Sequence, residues 1–365
     1  MLRPSGRGRG PGRGAHRRRS GSPGDGPGGV SSSPVTTVEG VALRGVVSAV
    51  PGPPVTNAGF EARFGAAAVA EVAKMTGVEA RHWVAEGQTA ADLCFDAAER
   101  LLTALDWAPE SVDALIFVTQ TPDQRMPAGA LLLHGRLGLA TECAALDVGL
   151  GCSGYTYGLW LAAIMIQSGR RRVLLCAGDT SSRMLGPDDR GTAMLFGDAG
   201  TATAIEADAT AKPMRFVLRS DGKGAGAIVV KGGGFRAAGE VERLEMAGPE
   251  VFVFTLRAVP AMVTDVLAGD DPAAVDAYAF HQANRFIIQN LVRKLKLAPE
   301  AVPVNIDRFG NTSMSSIPLL MTTDLSKRLT SQPTRVVAAG FGVGLSWGAA
   351  LLDLEPLKVA ETIAA

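Results

Sequence analysis

The sequence predicts an α/β protein made of two similar halves packed about a pseudo-twofold axis, on three observations. From about Val41 onward, apolar runs of strand length alternate with stretches of helical period. Segments then recur in the same order at nearly one spacing. Val112-Asp113-Ala114-Leu115-Ile116-Phe117 returns as Val275-Asp276-Ala277-Tyr278-Ala279-Phe280, and Arg172-Val173-Leu174 returns as Arg335-Val336-Val337 at the same offset. Between them, Leu137-Gly138-Leu139-Ala140-Thr141-Glu142 returns as Leu295-Lys296-Leu297-Ala298-Pro299-Glu300 at a slightly shorter one. Third, 365 residues suffice for two fused halves that each bury a core.

Taken along the chain, 89–105 has helical period and 114–118 is an unbroken apolar run of strand length. Helices follow over 128–137 and 153–168, then buried strands over 172–177 and 202–206. The second half begins with a helix over 249–266 and a strand over 277–280. A helix over 283–295 places Ile288, Leu291, Val292 and Leu295 on one face and Arg285, Gln289, Arg293 and Lys296 on the other. A last helix covers 315–328, before strands over 335–339 and 346–352. The expected organisation is a tail of residues 1–34, a first half of 35–210 and a second half of 211–365.

Composition limits the class. Apolar residues make up 47% and charged ones 20%, which is ordinary for a soluble protein, and no apolar run reaches the roughly 18 residues of a membrane span. Cys94, Cys143, Cys152 and Cys176 show no Cys-x-x-Cys spacing, and only four histidines accompany them, so neither a disulfide framework nor a zinc cluster is expected. A reducing cytoplasm fits. The net charge of zero hides an asymmetry: residues 1–34 hold seven arginines and one aspartate, leaving the remainder acidic. That Gly, Pro, Arg and Ser stretch has nothing to bury and lacks the apolar core of a secretory signal, so a disordered, dispensable extension is expected. Basic tails also bind phosphate backbones, but nucleic acid is not the expected partner.

The duplication locates the chemistry. After the first Leu-x-Leu-Ala-x-Glu come a strand and then Gly149-Leu150-Gly151-Cys152-Ser153-Gly154, opening a helix. After the second comes Phe309-Gly310-Asn311-Thr312-Ser313, also before a helix. Cys152 and Asn311 therefore occupy equivalent helix entrances, which a pseudo-twofold axis brings around one pocket. A helix N-terminus favours thiolate, the reactive form of cysteine, yet cysteine is also among the most buried residues, so position alone leaves nucleophile and packed thiol open. His281 closes a strand in Phe280-His281-Gln282-Ala283-Asn284, where a structural and a catalytic histidine fit equally. Asn311 alone would pass for a turn residue or helix cap. Cys94, Cys143 and Cys176 read as packing residues. Gly340-Phe341-Gly342-Val343-Gly344 imitates a dinucleotide fingerprint, but Ala349-Ala350-Leu351-Leu352 after it reads as strand rather than helix. Such a loop is suited instead to offering a backbone N–H to an oxyanion.

Five motifs, in order and in register from about Val41 to Leu354, resemble the β-ketoacyl-acyl-carrier-protein synthase III family. They are Asp-Val-Gly-Leu-Gly-Cys-Ser-Gly-Tyr-Thr-Tyr at 147–157, Asp-Arg-Gly-Thr-Ala-Met-Leu-Phe-Gly-Asp-Ala-Gly-Thr at 189–201, His281-Gln282-Ala283-Asn284, Gly310-Asn311-Thr312-Ser313 and Ser346-Trp347-Gly348-Ala349. The resemblance implies a homodimeric, five-layered thiolase fold and no metal or other cofactor. It implies that Cys152 takes an acyl group from an acyl thioester and that His281 and Asn311 stabilise the enolate of a decarboxylating malonyl thioester. The oxyanion hole would be formed by Cys152, through its own N–H, with Val343 and Gly344 of the Gly342–Gly344 loop. An acyl carrier protein is the implied partner, steered to Arg285, Arg293 and Lys296, although the family's docking arginine falls where this chain has Phe286. Met126 would stand for the aromatic residue that crosses the dimer to cap the acyl tunnel. Glu71 and Met75 stand where an aromatic and an arginine clamp adenine, just before Thr76-Gly77-Val78-Glu79-Ala80-Arg81. These departures point to a specialised-metabolism relative with a different primer. An enzyme that only moves the Cys-bound acyl group to an alcohol or amine is the alternative.

Overall fold

The computed structural model describes residues 35–365; the 1–34 segment, with its expected disorder, lies outside them. The chain opens with β1 (Thr36–Val38), β2 (Val41–Val50), the two-residue β3 (Val55–Thr56), α1 (Ala58–Phe64), α2 (Ala66–Thr76) and the two-residue β4 (Ala80–Arg81). Next come α3 (Ala90–Leu105), β5 (Ala114–Val118), α4 (Gly129–Arg136), β6 (Ala144–Val148), α5 (Gly154–Gln167), β7 (Arg172–Asp179), α6 (Arg190–Ala193) and β8 (Ala199–Ala207). A second series runs through β9 (Met214–Ser220), β10 (Ile228–Val230), β11 (Leu244–Met246), α7 (Gly248–Leu267), β12 (Ala277–Phe280), α8 (Arg285–Leu295) and α9 (Ile306–Phe309). It ends with α10 (Ser316–Thr322), α11 (Ser326–Ser331), β13 (Thr334–Gly342), β14 (Ser346–Leu354) and β15 (Val359–Ala364).

Two mixed sheets carry the fold, in the orders β15-β2-β8-β7-β5-β6 and β1-β9-β14-β13-β12. The repeat in the sequence is a repeat in register. β5 and β7 pair in parallel with Ala114 opposite Val173, and β12 and β13 pair in parallel with Ala277 opposite Val336, both partners displaced along the chain by the offset of the sequence repeat. Even the clamp at the strand mouth is duplicated: Asp113 accepts the Arg172 N–H at 3.0 Å, and Asp276 accepts the Arg335 N–H at 2.7 Å. The two α/β series exchange one strand at each edge. β1 completes the second sheet and β15 the first.

Five layers follow from where the apolar faces go. Tyr155, Leu159, Ala162 and Ile166 of α5, with Ile317, Leu320 and Met321 of α10, fill the space between the sheets. Both helices are apolar nearly all round, as a helix buried on every side must be. α3 and α4 cover the outer face of the first sheet, and α7 and α8 that of the second. Local chemistry sets the boundaries. Thr89 and Asp92 form a reciprocal capping box that starts α3, and Asn284 accepts the Ile287 N–H at 2.7 Å, which delays α8 to Arg285 rather than residue 283. The single helix expected over 315–328 is instead α10 and α11. The Thr322 and Thr323 hydroxyls turn back onto the Leu319 carbonyl, and the chain breaks there. No helix among the described residues is long and apolar enough to cross a membrane.

Candidate active site

Five parallel-running strands end around one cavity. Thr119 and Gln120 follow β5, Cys152 follows β6, Asp179 ends β7, His281 follows β12 and Gly342 ends β13. The cavity offers about 740 Å³ of space, its open mouth included, and is lined by Cys152, His281, Asn311, Asp179, Ser313 and Phe341 among others. The sequence-predicted Cys152, His281 and Asn311 are thus brought together, each less than a tenth exposed.

Asn311 is placed by its backbone. Its N–H donates to the Leu195 carbonyl at 2.8 Å, and its carbonyl accepts from Gly197 at 3.0 Å. This close approach depends on Gly310, whose φ is +67° and whose added Cβ would lie 2.6 Å from the Leu195 oxygen. The Asn311 Oδ1 accepts the Ser313 N–H at 3.0 Å, which fixes the amide; its NH2 makes one long contact to the Ala283 carbonyl at 3.5 Å and keeps a second N–H for other partners. His281 is held by its own N–H on the Ala339 carbonyl at 2.8 Å, its ring packed edge-on against Phe341. Its Nδ1 meets the Ser316 hydroxyl at 2.7 Å. Burial pushes its pKa down to about 3, against a smaller upward pull from the Ser313 carbonyl, so the ring is neutral.

The glycine loop after β13 closes over the sulfur. A Cβ on Gly342 would lie 2.8 Å from the Cys152 Sγ, so only glycine lets backbone approach so near. β13 and β14 continue antiparallel on either side with Gly342 opposite Ser346, an architecture of strand, turn and strand. The N–H groups of Val343 and of Cys152 itself face the sulfur.

Burial works against the thiolate that a helix entrance favours. Burial raises the Cys152 pKa to about 11, the Val343 N–H opposes that, and the nearby Asp179 charge adds to it. A helix end contributes about half a charge, and here desolvation outweighs it. Alkylation of Cys152 by iodoacetamide is therefore expected to accelerate about tenfold per pH unit between pH 7 and 10, because the thiolate fraction does so below the pKa. A rate already flat at neutral pH would refute this.

Three polar residues at the site were given no role by the sequence. Asp179 is buried, and its Oδ1 accepts the Gln120 N–H at 2.7 Å and the Thr119 and Thr121 hydroxyls at 3.2 and 3.3 Å. Burial still lifts its pKa to about 6. Ser313, at a left-handed φ of 53°, sets its hydroxyl against both Cys152 and Asp179. Ser316 backs His281. The only signal for Asp179 was a charge ending the apolar run of β7, and serines so common as these carry none.

The outlying predictions fall elsewhere. Met126 is 77% exposed and Met75 is 60% exposed, both away from the cavity lining. On α8, Ile287, Ile288 and Leu291 are buried while Arg293 and Lys296 are exposed. Arg285 is half-buried against Gly77, whose added Cβ would sit 2.5 Å from that of Arg285. Phe286, 47% exposed, stacks on Phe252 with ring centroids 5.3 Å apart.

Comparison with known proteins agrees with this geometry. Residues 146–222 match the family model described as 3-oxoacyl-[acyl-carrier-protein] synthase III, and residues 267–354 match the model of its C-terminal part. The β-ketoacyl-[acyl-carrier-protein] synthase III of Acidiphilium cryptum is 37% identical over 320 residues, covering 85% of this chain and 98% of the relative. Among solved structures, a 3-oxoacyl-(acyl-carrier protein) synthase from Burkholderia xenovorans is 47% identical and superposes with a TM-score of 0.89, over 92% of this chain and all of that one. The priming β-ketosynthase of the R1128 polyketide pathway is 25% identical with a TM-score of 0.78, covering 87% of this chain and 98% of its own.

Proposed function

Because the chain belongs to the 3-oxoacyl-[acyl-carrier-protein] synthase III family of condensing transferases, we propose how its own residues perform decarboxylative condensation on this thiolase fold. Cys152 attacks an acyl thioester. The new carbon–sulfur bond forms as the bond to the donor thiol breaks, and the N–H groups of Cys152 and Val343 hold the oxyanion between. Exchange of one thioester for another is proton-neutral, so a thiol protonated at rest has only to hand its proton to the departing sulfur. A malonyl thioester then loses carbon dioxide. The enolate oxygen is held by N–H groups of His281 and Asn311, and its carbon attacks the acyl carbonyl. The carbon–carbon bond forms, the Cys152 sulfur leaves and takes up one proton from solvent, and a β-ketoacyl thioester departs.

The observation that carries this reading is the meeting of a buried nucleophile with two oriented, uncharged donors in one cavity. Neutral donors stabilise an enolate without quenching it by proton transfer. Transfer to an alcohol or amine would leave the oriented Asn311 amide with no charge to hold. The test is to incubate the protein with a panel of acyl-CoA and acyl-carrier thioesters, weigh the adduct, then add malonyl thioester and measure carbon dioxide. The adduct mass identifies the primer. Acylation without carbon dioxide release from any malonyl thioester would overturn the reading.

Met75 and Glu71, both exposed where an adenine clamp was expected, support a primer other than acetyl-CoA and a place in specialised metabolism. The exposed Met126 supports a homodimer in which it caps the partner's acyl tunnel, which sedimentation at twice the monomer mass would check. For an acyl carrier protein we assign Arg293 and Lys296, with Arg285 a packed flank. Acidic carriers are steered by such charges. Arg293→Glu with Lys296→Glu is expected to raise KM for a carrier-bound thioester severalfold and to flatten its salt dependence, with a pantetheine thioester unaffected. Unchanged KM and salt dependence would remove the docking assignment.

A further inference from the structure

We propose that Ser316 sets the tautomer of His281, and so decides whether the ring presents a donor or a bare lone pair to the reacting carbonyl. The inference rests on the enolate-holding role given to His281 above.

A neutral imidazole carries one N–H for two nitrogens. Nδ1 is committed to the Ser316 hydroxyl at 2.7 Å, which leaves Nε2 as the nitrogen available to the cavity. Ser316 Oγ has two other neighbours. The Gln282 N–H, at 3.3 Å, only donates to it; the Ser313 carbonyl, at 2.9 Å, only accepts from it. The single hydroxyl proton therefore has two destinations. On the Ser313 carbonyl, it obliges Nδ1 to carry the ring proton, and Nε2 turns a lone pair toward the substrate. On Nδ1, it obliges Nε2 to carry the proton, which is the donor an enolate needs.

The second arrangement costs the surroundings little. The Ser313 carbonyl also accepts the Ser316 backbone N–H, so it is not orphaned when the hydroxyl rotates away. The Gln282 N–H continues to donate to Oγ, so a polarised chain runs from Gln282 N–H through the Ser316 hydroxyl to Nδ1. His281 and Ser316 are each 1% exposed, so the hydroxyl rather than bulk solvent governs the ring. Ser316 is thus a positioning residue that acts through His281. It touches no substrate.

Ser316→Ala removes the hydroxyl proton from Nδ1 and leaves the Gln282 N–H beside the vacated space and the Ser313 carbonyl, the acceptor that already pulls on the ring. The proton then moves to Nδ1 and Nε2 is stripped. Carbon dioxide release is expected to fall about 10²-fold or more, the scale of losing one oxyanion donor, with Cys152 acylation within about threefold of wild type. Ser316→Thr, which keeps the hydroxyl, should restore most of it. The decisive readout is nitrogen-15 NMR of histidine-labelled protein with a non-decarboxylating malonyl thioester analogue. It should show the Nε2–H tautomer in the wild type and in Ser316→Thr, and the Nδ1–H tautomer in Ser316→Ala. The same tautomer in all three, or acylation falling in step with decarboxylation, overturns the proposal. His281→Ala in parallel tests the parent reading separately: unchanged decarboxylation there removes the role of His281, while the NMR comparison still decides what Ser316 controls.

Discussion

Cys152→Ala is expected to fold normally and to accept no acyl group from any thioester, a loss of about 10⁴-fold or more, whereas Cys176→Ala should still be acylated. Both sulfurs are buried, but in different company. Cys176 lies wholly inside the apolar cluster of β7 and α3, with Cys94 as its neighbour. Cys152 lines the cavity, with the N–H groups of Val343 and of its own residue at its sulfur and Gly342 packed against it. Removing the Cys176 sulfur leaves a small void in a close-packed layer and costs stability of about 1 kcal/mol, not chemistry. Removing the Cys152 sulfur leaves the oxyanion donors with no tetrahedral species to hold. Intact-protein mass after incubation with an acyl thioester separates the two. An adduct on the Cys152→Ala protein would sink the assignment.

What the sequence could disclose follows from how each residue gets its role. β5, β7, β12 and β13 were legible because strands covered on both faces are written as unbroken apolar runs, and because duplication repeats the first pair as the second at one fixed offset. Cys152 and Asn311 were legible because the same duplication places them at equivalent turns. β15 was not. Val359–Ala364 is a half-buried edge strand, and its partner β2 lies near the opposite end of the chain, a pairing no local pattern encodes. β9, β10 and β11 were missed for the related reason that short or one-sided strands lack a buried run. Asp179, Ser313 and Ser316 take their roles from the approach of residues 119–121 and 281–282 to 313–316, which only the folded chain brings about. The setting of the Cys152 thiol is only half legible, for a quantitative reason. A helix end is visible in sequence, but the depth of burial that outweighs it is not.

Asn311→Asp is expected to separate the two half-reactions, with carbon dioxide release slowed about 10²–10³-fold and acylation of Cys152 nearly intact. Wild-type Asn311 has Oδ1 committed to the Ser313 N–H at 3.0 Å, so its Nδ2 is the donor available where charge develops. Aspartate keeps the acceptor for Ser313 and replaces the donor with a second oxygen bearing negative charge. That oxygen faces an enolate oxygen of the same sign in a buried cavity, where water screens little. Loss of one such donor costs about 3–4 kcal/mol at the transition state, before any repulsion is counted. In the proposed mechanism acylation draws on other atoms, the N–H groups of Cys152 and Val343 that face the sulfur. The measurement is the adduct mass and the carbon dioxide yield on one preparation. Equal loss of both would mean that Asn311 shapes the cavity rather than holding the enolate. Retention of both would return His281 as the sole donor and leave the orientation of the Asn311 amide without a catalytic purpose.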